Sequence, residues 1–343
     1  MSNQKNSQWN HQKVWASLTC IIVIALLLSG CSTVQPAKVY HVGILSGLQA
    51  FAPITDGFKS KMAELGYVEG KNIIYDVQST DVDLAAYKTI TKKFVDDKVD
   101  MIIAFPTEAA MEAKADTQGT NIPVVFSMAF TDVTGINLID SIRAPGGNIT
   151  GVRFPSADIA DKRLEILHEM VPNAKRIFVP YLKDYPNVPG QLGVIRQLAF
   201  SDNFELVEYG AASPADLQAK LDSLVTPTGV GIDAILIIAE PLGITPAFYS
   251  VLGKFGYDHN IPIGGALMDA GGDYPSIFGL LPDSKTVGEQ TALIADKVLK
   301  GSSAGTIPVV TSESYFQINT KAANSFGLTV PEGLLKQADR VIQ

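Results

Sequence analysis

The sequence contains few of the residues that form disulfides or bind metals, with two cysteines and four histidines among 343 residues. Cys20 lies inside an apolar N-terminal run, and Cys31 follows that run closely. No disulfide can form within the chain beyond Cys31, so an apolar core must stabilise it. No histidine pair and no cysteine–histidine spacing indicates a metal site. We therefore expect neither a metal nor another cofactor.

The sequence also lacks an excess of positive charge and the usual motifs of enzymes. Its 27 lysines and arginines against 35 aspartates and glutamates give a formal net charge of −8, whereas surfaces that bind nucleic acid are basic. Gly229 and Gly231 precede a predicted strand and not a helix, which is the wrong context for a dinucleotide fingerprint. His41, His168 and His259 lie in three different predicted elements. We therefore expect no nucleic-acid partner and no catalytic residues.

The order of segments at the N-terminus matches an export signal. Lys5 and Lys13 lie in a polar leader without acids, and the apolar run that follows, 14–28, is shorter than the ~20 residues of a bilayer-spanning helix. The segment 28–31, Leu-Ser-Gly-Cys, resembles the lipobox of bacterial and archaeal lipoproteins. That resemblance implies a signal peptide over 1–30, a lipid on Cys31 and a tether over 31–37. The alternative is an ordinary cleavage site beside a chance cysteine.

Strand-like and helix-like segments alternate along the rest of the chain. The apolar run 38–45 reads as a strand, and the residues after it show apolar side chains every three or four positions, which predicts a helix. Runs such as 101–105 are apolar without alternation, which indicates strands buried on both faces. The pattern restarts after 146–148. We therefore predict an α/β fold of two similar lobes, each a doubly wound parallel sheet.

A strand, a helix and another strand follow the second series, which indicates that the chain returns to the first lobe and then leaves it again. The predicted hinge has three crossings, at 151–155, 274–279 and 310–313. The resulting N-terminal lobe comprises 38–153 plus 280–311. The C-terminal lobe comprises 154–279 plus 312–343.

Candidate ligand-binding residues follow from the rule that ligands bind beyond the carboxyl ends of strands in open α/β sheets. Those ends combine small hydroxyls, helix N-termini, acids and apolar side chains, a mixture that suits a small organic molecule in an apolar cleft. The candidates are Ser46, Gly47, Phe51, Phe105, Pro106, Thr107, Glu108, Ser127, Met128, Phe154, Tyr181, Glu240, Met268 and Asp269. Phe130 and Tyr185 are further aromatic residues near these ends. Each aromatic side chain, taken singly, is also explained by packing within a lobe.

Several separated segments resemble the solute-binding lipoproteins of ABC importers, in the family that includes tryptophan- and tyrosine-binding members. The resemblance runs from Lys38 to Ile342 and is carried by the segments "GFKSKMAELGYVEGKNI", "IPVVFSMAFTDV", "APGGNITGV", "HEMVPNAKRI" and "GLTVPEGLLKQADRVI". It implies a type I periplasmic-binding-protein fold that binds a ligand without transforming it. It also implies a monomer outside the cytoplasm, with an ABC permease and its ATPase as partners.

The resemblance extends unevenly to single residues. It implies that Thr107 contacts the ligand through its hydroxyl, and it adds Asp132 to the candidates, displaced by one position from the family's Thr-Asp segment. Tyr181 matches a family tyrosine. The segments 240–242 and 266–268, Glu-Pro-Leu and Ala-Leu-Met, replace polar clusters of the relatives. These replacements favour a more apolar ligand, with acids still available for an ammonium group.

The leading hypothesis is a lipid-anchored solute-binding protein, on the outer face of the cell membrane or in the periplasm. It would deliver an aromatic or apolar amino acid, or a related compound, to a permease. A sensor subunit that presents its ligand to a membrane receptor is one alternative. A secreted enzyme is a second, and the missing catalytic constellation argues against it.

Overall fold

A computed structural model describes residues 38–81, 83–131, 136–267 and 272–343. Tyr40–Gln343 form one compact unit. The predicted signal peptide, the tether with Cys31, Asp132, Met268 and Asp269 lie outside the described residues. Within the described ranges, no helix combines the length and the apolar character needed to cross a membrane.

Strands and helices alternate along the chain. The strands are β1 (Tyr40–Ser46), β2 (Ile73–Ser79), β3 (Met101–Phe105), β4 (Val124–Ala129), β5 (Ile149–Arg153), β6 (Arg176–Leu182), β7 (Glu205–Ala211), β8 (Val225–Thr226), β9 (Gly229–Val230), β10 (Ala234–Ile237), β11 (Ile263–Gly265), β12 (Phe278–Pro282), β13 (Val310–Thr311), β14 (Ser314–Asn319) and β15 (Arg340–Ile342). The helices are α1 (Pro53–Glu64), α2 (Leu84–Asp96), α3 (Thr107–Asp116), α4 (Ala160–Met170), α5 (Val188–Asp202), α6 (Pro214–Ser223), α7 (Pro246–His259), α8 (Ser284–Leu299), α9 (Thr320–Ser325) and α10 (Glu332–Gln337).

The strands form two large sheets, one in each lobe. The N-terminal sheet has the order β13-β5-β4-β3-β1-β2 and is parallel throughout. The C-terminal sheet has the order β15-β14-β12-β11-β10-β6-β7. Strands β8 and β9 form a separate antiparallel pair. The predicted α/β fold of two parallel-sheet lobes is therefore confirmed.

One pairing in the C-terminal sheet departs from the parallel expectation, because β14 runs antiparallel to β12. The chain leaves the sheet at the carboxyl end of β12, visits the N-terminal lobe, and returns directly into β14. A strand that re-enters at the edge where its neighbour left must run in the opposite direction. The antiparallel pair is thus a consequence of the hinge topology.

Local capping chemistry sets three helix starts where the sequence predicts them. The Asp83 carboxylate accepts hydrogen bonds from the backbone N–H groups of Ala85 and Ala86, both at 3.0 Å. Ser213 Oγ accepts from the N–H of the third helical residue of α6 at 3.1 Å, and Asp283 caps α8 in the same way at 2.8 Å. Each cap pairs an N–H group that the first helical turn leaves without a partner.

The pairing of β12 corrects the predicted position of the second crossing. Leu280 and Leu281 lie opposite Phe316 and Tyr315 of β14, so 280–282 belong to the C-terminal sheet and not to the N-terminal lobe. The second crossing follows Pro282 instead of falling at 274–279. The strand stays in the C-terminal sheet because β14, later in the chain, pairs with it there.

The other two crossings lie beside the ends of paired strands. Thr311 of β13 is paired with Arg153 of β5 in the N-terminal sheet, and Ser314 is paired with Pro282 in the C-terminal sheet. The third crossing therefore lies between Thr311 and Ser314. The first begins after Arg153 rather than at Gly151, because 149–153 form strand β5. The three crossings leave from the carboxyl ends of β5, β12 and β13. The two sheets therefore face the hinge with the carboxyl ends of these strands.

Two buried arginines bind the crossings together. Arg153 Nε donates to Thr311 Oγ1 at 3.0 Å, which joins the first crossing to the third. Arg163 Nε donates to the Leu280 carbonyl at 3.0 Å, and its Nη1 donates to the Ser156 carbonyl at 3.2 Å. Burial lowers the pKa of Arg163 to about 9, so it remains charged at neutral pH. The charge therefore stays beside the strand that leads into the second crossing.

Candidate functional site

The apolar core of the N-terminal lobe continues into the C-terminal lobe at the carboxyl ends of the strands. One cluster of buried side chains contains Phe105, Met128 and Phe154 together with Ala239 and Ala266. Ala239 follows β10 and Ala266 follows β11. The two lobes thus meet through apolar groups at the edge where the sequence places the ligand.

The end of β1 is held by close backbone approach. Gly47 N–H donates to the Phe105 carbonyl at 2.8 Å, and the Tyr87 hydroxyl donates to the Gly47 carbonyl at 2.5 Å. A Cβ at Gly47 would lie 2.7 Å from the Tyr87 ring, so only glycine fits. Ser46, just before it, is buried, whereas Phe51 is half-buried against the N-terminal core. Phe51 is therefore the accessible aromatic side chain at this strand end.

The start of α3 is linked to the segment that follows β4. Thr107 is buried, and its Oγ1 accepts a hydrogen bond from the Phe130 N–H at 3.0 Å. Phe105 is completely buried, and the Phe105–Pro106 peptide bond is cis. Glu108, one residue into the helix, is half-buried. The Thr107 hydroxyl therefore already holds one loop of the cleft in place, and its single proton remains available as a donor.

Ser127 does not occupy the predicted place in the cleft. Its Oγ lies 2.5 Å from Thr291 Oγ1 of α8, and both residues are buried. Ser127 therefore faces the helix that covers the sheet, and the expectation of a ligand contact from it is corrected. Its neighbour Met128 has a backbone φ of 50° and a buried side chain in the interlobe cluster. That left-handed backbone conformation changes the direction of the chain at the end of β4.

Two phenylalanines stack where the chain leaves the N-terminal lobe. The rings of Phe130 and Phe154 meet edge to face, with centroids 5.5 Å apart. The Phe154 N–H donates to the Ala129 carbonyl at 2.9 Å, which fixes this pair beside the end of β4. Edge-to-face pairs of this kind add packing energy beyond the area they bury. The pair gives the cleft an aromatic wall beside the hinge.

Glu240 is the main acidic group on the C-terminal side. Its Oε2 accepts hydrogen bonds from the Leu182 N–H at 3.3 Å and the Leu242 N–H at 3.1 Å. Burial raises the pKa of Glu240 to about 7, and the two backbone N–H groups oppose that rise. Tyr181, at the end of the adjacent strand, is half-buried and packs against the C-terminal core. Burial therefore outweighs hydrogen bonding at this carboxyl group.

Asn187 and Gln191 near this edge are outside the predicted set, and Tyr185 is predicted only as an aromatic residue near the strand ends. The Tyr185 hydroxyl donates to Glu108 Oε1 at 3.4 Å and so links the C-terminal lobe to the N-terminal lobe. Asn187 Nδ2 donates to the Ala239 carbonyl at 2.7 Å, and Gln191 binds both the carbonyl and the N–H of Ala239. The only sequence signal for Asn187 is its position two residues before Pro189, which lies in the first turn of α5.

The cleft offers apolar and aromatic walls with hydrogen-bond acceptors and no assembled metal site. Within the described ranges, no group of three or more histidine, cysteine, aspartate or glutamate side chains is placed to hold a metal ion. Glu108 and Glu240 supply carboxyl groups from opposite lobes. This arrangement suits the binding of a small organic molecule.

The family model for ABC transporter substrate binding proteins matches residues 42–342. The chain belongs to this family. A protein of Clostridioides difficile (strain R20291) described as a tyrosine-binding protein is 30% identical over 264 residues, which cover 74% of this chain and 70% of that protein. This substrate-binding protein therefore acts outside the cytoplasm with an ABC transporter and is not an enzyme, which confirms the resemblance and the non-enzymatic expectation.

Solved structures share the fold of this substrate-binding protein. A domain from Streptococcus pneumonia in complex with L-Trp is 23% identical, with a TM-score of 0.76, and the match covers 89% of this chain and 100% of that one. The ligand-free, open structure of a substrate binding protein with adhesive properties from Clostridium difficile is 24% identical, with a TM-score of 0.70 and the same two coverages. Both similarities concern the fold.

Proposed function

We propose that this substrate-binding protein takes up an aromatic or apolar amino acid, or a closely related compound, between its lobes and delivers it to a permease. The observation that carries the proposal is the interlobe apolar cluster, in which Ala239 and Ala266 join Phe105, Met128 and Phe154. Burial of an apolar ligand side chain against such walls supplies binding energy in proportion to the area covered.

The residues that follow β11, on the cleft side of the C-terminal lobe, support the same ligand class. Ala266 is buried, and Leu267 is partly buried against the core of its lobe. Small apolar groups at this edge leave room for a bulky ligand side chain while offering it no polar partner. The names of the relatives add support, since one is described as tyrosine-binding and one structure contains L-Trp.

A fluorescence experiment tests the ligand class directly. Trp9 and Trp15 are the only tryptophans, and both precede Cys31, so protein that begins at Cys31 has no tryptophan emission of its own. We expect added L-tryptophan to change its emission on binding, and the preferred amino acid of an aromatic and aliphatic panel to raise the Tm. If no aromatic or apolar amino acid does either, the ligand class is wrong.

Two phenylalanine variants provide a matched comparison. Phe51→Ala removes the half-buried ring at the end of β1, and we expect weaker binding of the preferred amino acid. Phe200→Ala removes a ring that is 91% exposed on α5, and we expect no change. Phe105→Ala is less informative, because Phe105 is fully buried and its loss would lower stability as well.

We also propose that residues 1–30 are removed, that Cys31 carries the lipid anchor, and that the protein works as a monomer on the outer side of the membrane. The short apolar run and the lipobox-like segment 28–31 support this proposal. Cys31→Ser should release the exported protein from the membrane fraction into the soluble fraction. Persistent membrane association would contradict the anchor, and a dimer in light scattering would contradict the monomer.

A further inference from the structure

Two buried acceptor atoms beside the cleft have no hydrogen-bond partner among the described residues: Asn187 Oδ1 and Glu240 Oε1. The two residues are only 2% and 7% exposed. Buried polar atoms are nearly always hydrogen-bonded in native proteins, because an unpaired one loses its water without compensation. Two such atoms in one region therefore indicate that a donor outside the chain completes them.

Both acceptors flank the residue at which the C-terminal lobe meets the N-terminal lobe. Asn187 Nδ2 binds the Ala239 carbonyl at 2.7 Å, and Glu240 is the next residue along the chain. The Ala239 side chain lies in the interlobe cluster. Gln191 provides a contrast, since its Nε2 and Oε1 both bind Ala239, at 3.0 Å and 2.9 Å. Both polar atoms of the Gln191 amide therefore form hydrogen bonds with Ala239. Asn187 Oδ1 and Glu240 Oε1, in contrast, have no partner among the described residues.

The surroundings favour a donor that carries positive charge. Glu108 lies across the cleft and accepts from the Tyr185 hydroxyl at 3.4 Å. Burial raises the pKa of Tyr185, and the negative charges of Glu108 and Glu240 add to that rise. In the part of the chain that the structure describes, no lysine or arginine forms an ion pair with Glu108 or Glu240. Two carboxyl groups thus lie near Tyr185, and among the described residues neither has a lysine or arginine partner.

We propose that Asn187 Oδ1 and Glu240 Oε1 together form a subsite for an amino group, so that the ligand must carry an N–H donor at this end. An ammonium group has three donors and can serve both acceptors at once. A bound ammonium also favours the ionised form of Glu240, whose pKa burial otherwise raises. The inference rests on the proposed function and narrows its ligand class to amines.

Three related probes test the subsite in the unmodified protein by calorimetry. L-tyrosine and tyramine both carry the amino group, and the des-amino analogue of tyrosine lacks it. We expect the des-amino analogue to bind about tenfold or more weakly than L-tyrosine, because a hydrogen bond to a charged group is lost. Tyramine should retain binding above that of the des-amino analogue. Equal binding of L-tyrosine and its des-amino analogue would overturn the subsite.

Substitution of the carboxyl group tests the same contact from the side of the protein. Glu240→Gln keeps the shape and removes the charge, and we expect the affinity for each amine probe to fall by about tenfold or more. Glu208→Gln is the matched control, because the Glu208 carboxylate already has a partner, Arg196, at 2.6 Å within the same lobe. We expect it to bind the probes as the unmodified protein does. A Glu240→Gln protein with unchanged affinity would overturn the subsite.

A wider thermal-shift panel separates failure of the subsite from failure of the proposed ligand class. It pairs aliphatic and heterocyclic amines with counterparts that lack nitrogen. If aromatic and apolar amino acids do not bind, but another amine does and requires Glu240, the ligand class is wrong and the subsite stands. If the tightest ligand has no N–H donor, or if no amine raises the Tm, the subsite is wrong.

Discussion

Glu240 shows how burial and hydrogen bonding compete at a single residue. Two backbone N–H groups bind its Oε2 and favour the ionised form, yet removal from water raises the pKa from 4.5 to about 7. The unfolded chain releases this proton near pH 4.5, whereas the folded protein holds it until about pH 7. Folded protein therefore binds more protons than unfolded protein within that interval.

This difference predicts a pH dependence of stability without ligand. The Glu240 contribution is fully present below about pH 4.5 and is lost as the pH rises through about 7, by an amount on the order of 3 kcal/mol. We expect Glu240→Gln to remove this loss. Thermal unfolding of both proteins should show the unmodified protein losing Tm relative to Glu240→Gln between about pH 4.5 and about pH 7. A constant difference in Tm would contradict the raised pKa.

The candidate site illustrates which residues a sequence can reveal. Glu108 and Glu240 follow from the rule that ligands bind beyond the carboxyl ends of strands. That rule does not identify Asn187, because its side chain is positioned by a hydrogen bond to the carbonyl of Ala239, a residue distant in the sequence. The prediction for Ser127 is wrong because β4 is buried on both faces. Its apolar pattern therefore does not indicate the face of the sheet on which each side chain lies.

At the scale of elements, local chemistry was predictable and long-range pairing was not. Asp83, Ser213 and Asp283 begin helices through contacts within three residues of themselves. The end of β12 depends instead on β14, which lies beyond a helix and a lobe crossing. The segment itself does not show which sheet a strand joins when a distant strand pairs with it. For this reason the second crossing was predicted at 274–279, whereas it follows Pro282.

Helices α1 and α8 pack so closely that two glycines are required between them. A Cβ at Gly288 would lie 2.1 Å from the Ile54 carbonyl oxygen, and one at Gly57 would lie 2.0 Å from the Lys285 carbonyl oxygen. Backbone atoms cannot move aside as a flexible side chain can. Any larger residue must therefore push the two helices apart.

A pair of glycine variants tests this packing. Gly288→Ala should lower the free energy of unfolding by about 1–3 kcal/mol or more through overpacking. Gly193→Ala is the control within α5, because a Cβ there meets nothing within 4 Å. It should leave stability unchanged or raise it by up to about 1 kcal/mol, since alanine favours the helix. Chemical denaturation measures both, and a neutral Gly288→Ala would contradict the close packing.

For the whole molecule, closure around a ligand requires contacts that exist only when the lobes are together. Ala239 and Ala266 supply apolar contacts of this kind, and the Tyr185–Glu108 hydrogen bond supplies a polar one. A ligand shifts the balance between open and closed forms only through its different affinity for them. Each contact between the lobes therefore contributes to the affinity for ligand as well as to the shape of the unliganded protein.

Removal of the tyrosine hydroxyl at the lobe boundary tests this coupling. Tyr185→Phe deletes the hydrogen bond from the C-terminal lobe to Glu108, whose net value of about 0.5–1.5 kcal/mol corresponds to about a two- to tenfold change in the ratio of open to closed forms. We expect X-ray scattering to show a larger mean radius of gyration for the unliganded variant. The affinity for L-tyrosine, or for the preferred ligand of the amine panel, should fall by a similar factor.

Tyr209→Phe is the matched control for this experiment. The Tyr209 hydroxyl also donates to a carboxylate, Asp216 Oδ1 at 2.7 Å, but both residues lie within the C-terminal lobe. Its loss should lower stability slightly and leave the radius of gyration and the ligand affinity unchanged. If both variants open the molecule equally, or if Tyr185→Phe changes neither quantity, the contact between Tyr185 and Glu108 does not control closure. An effect confined to Tyr185→Phe would identify this contact as one that holds the two lobes together.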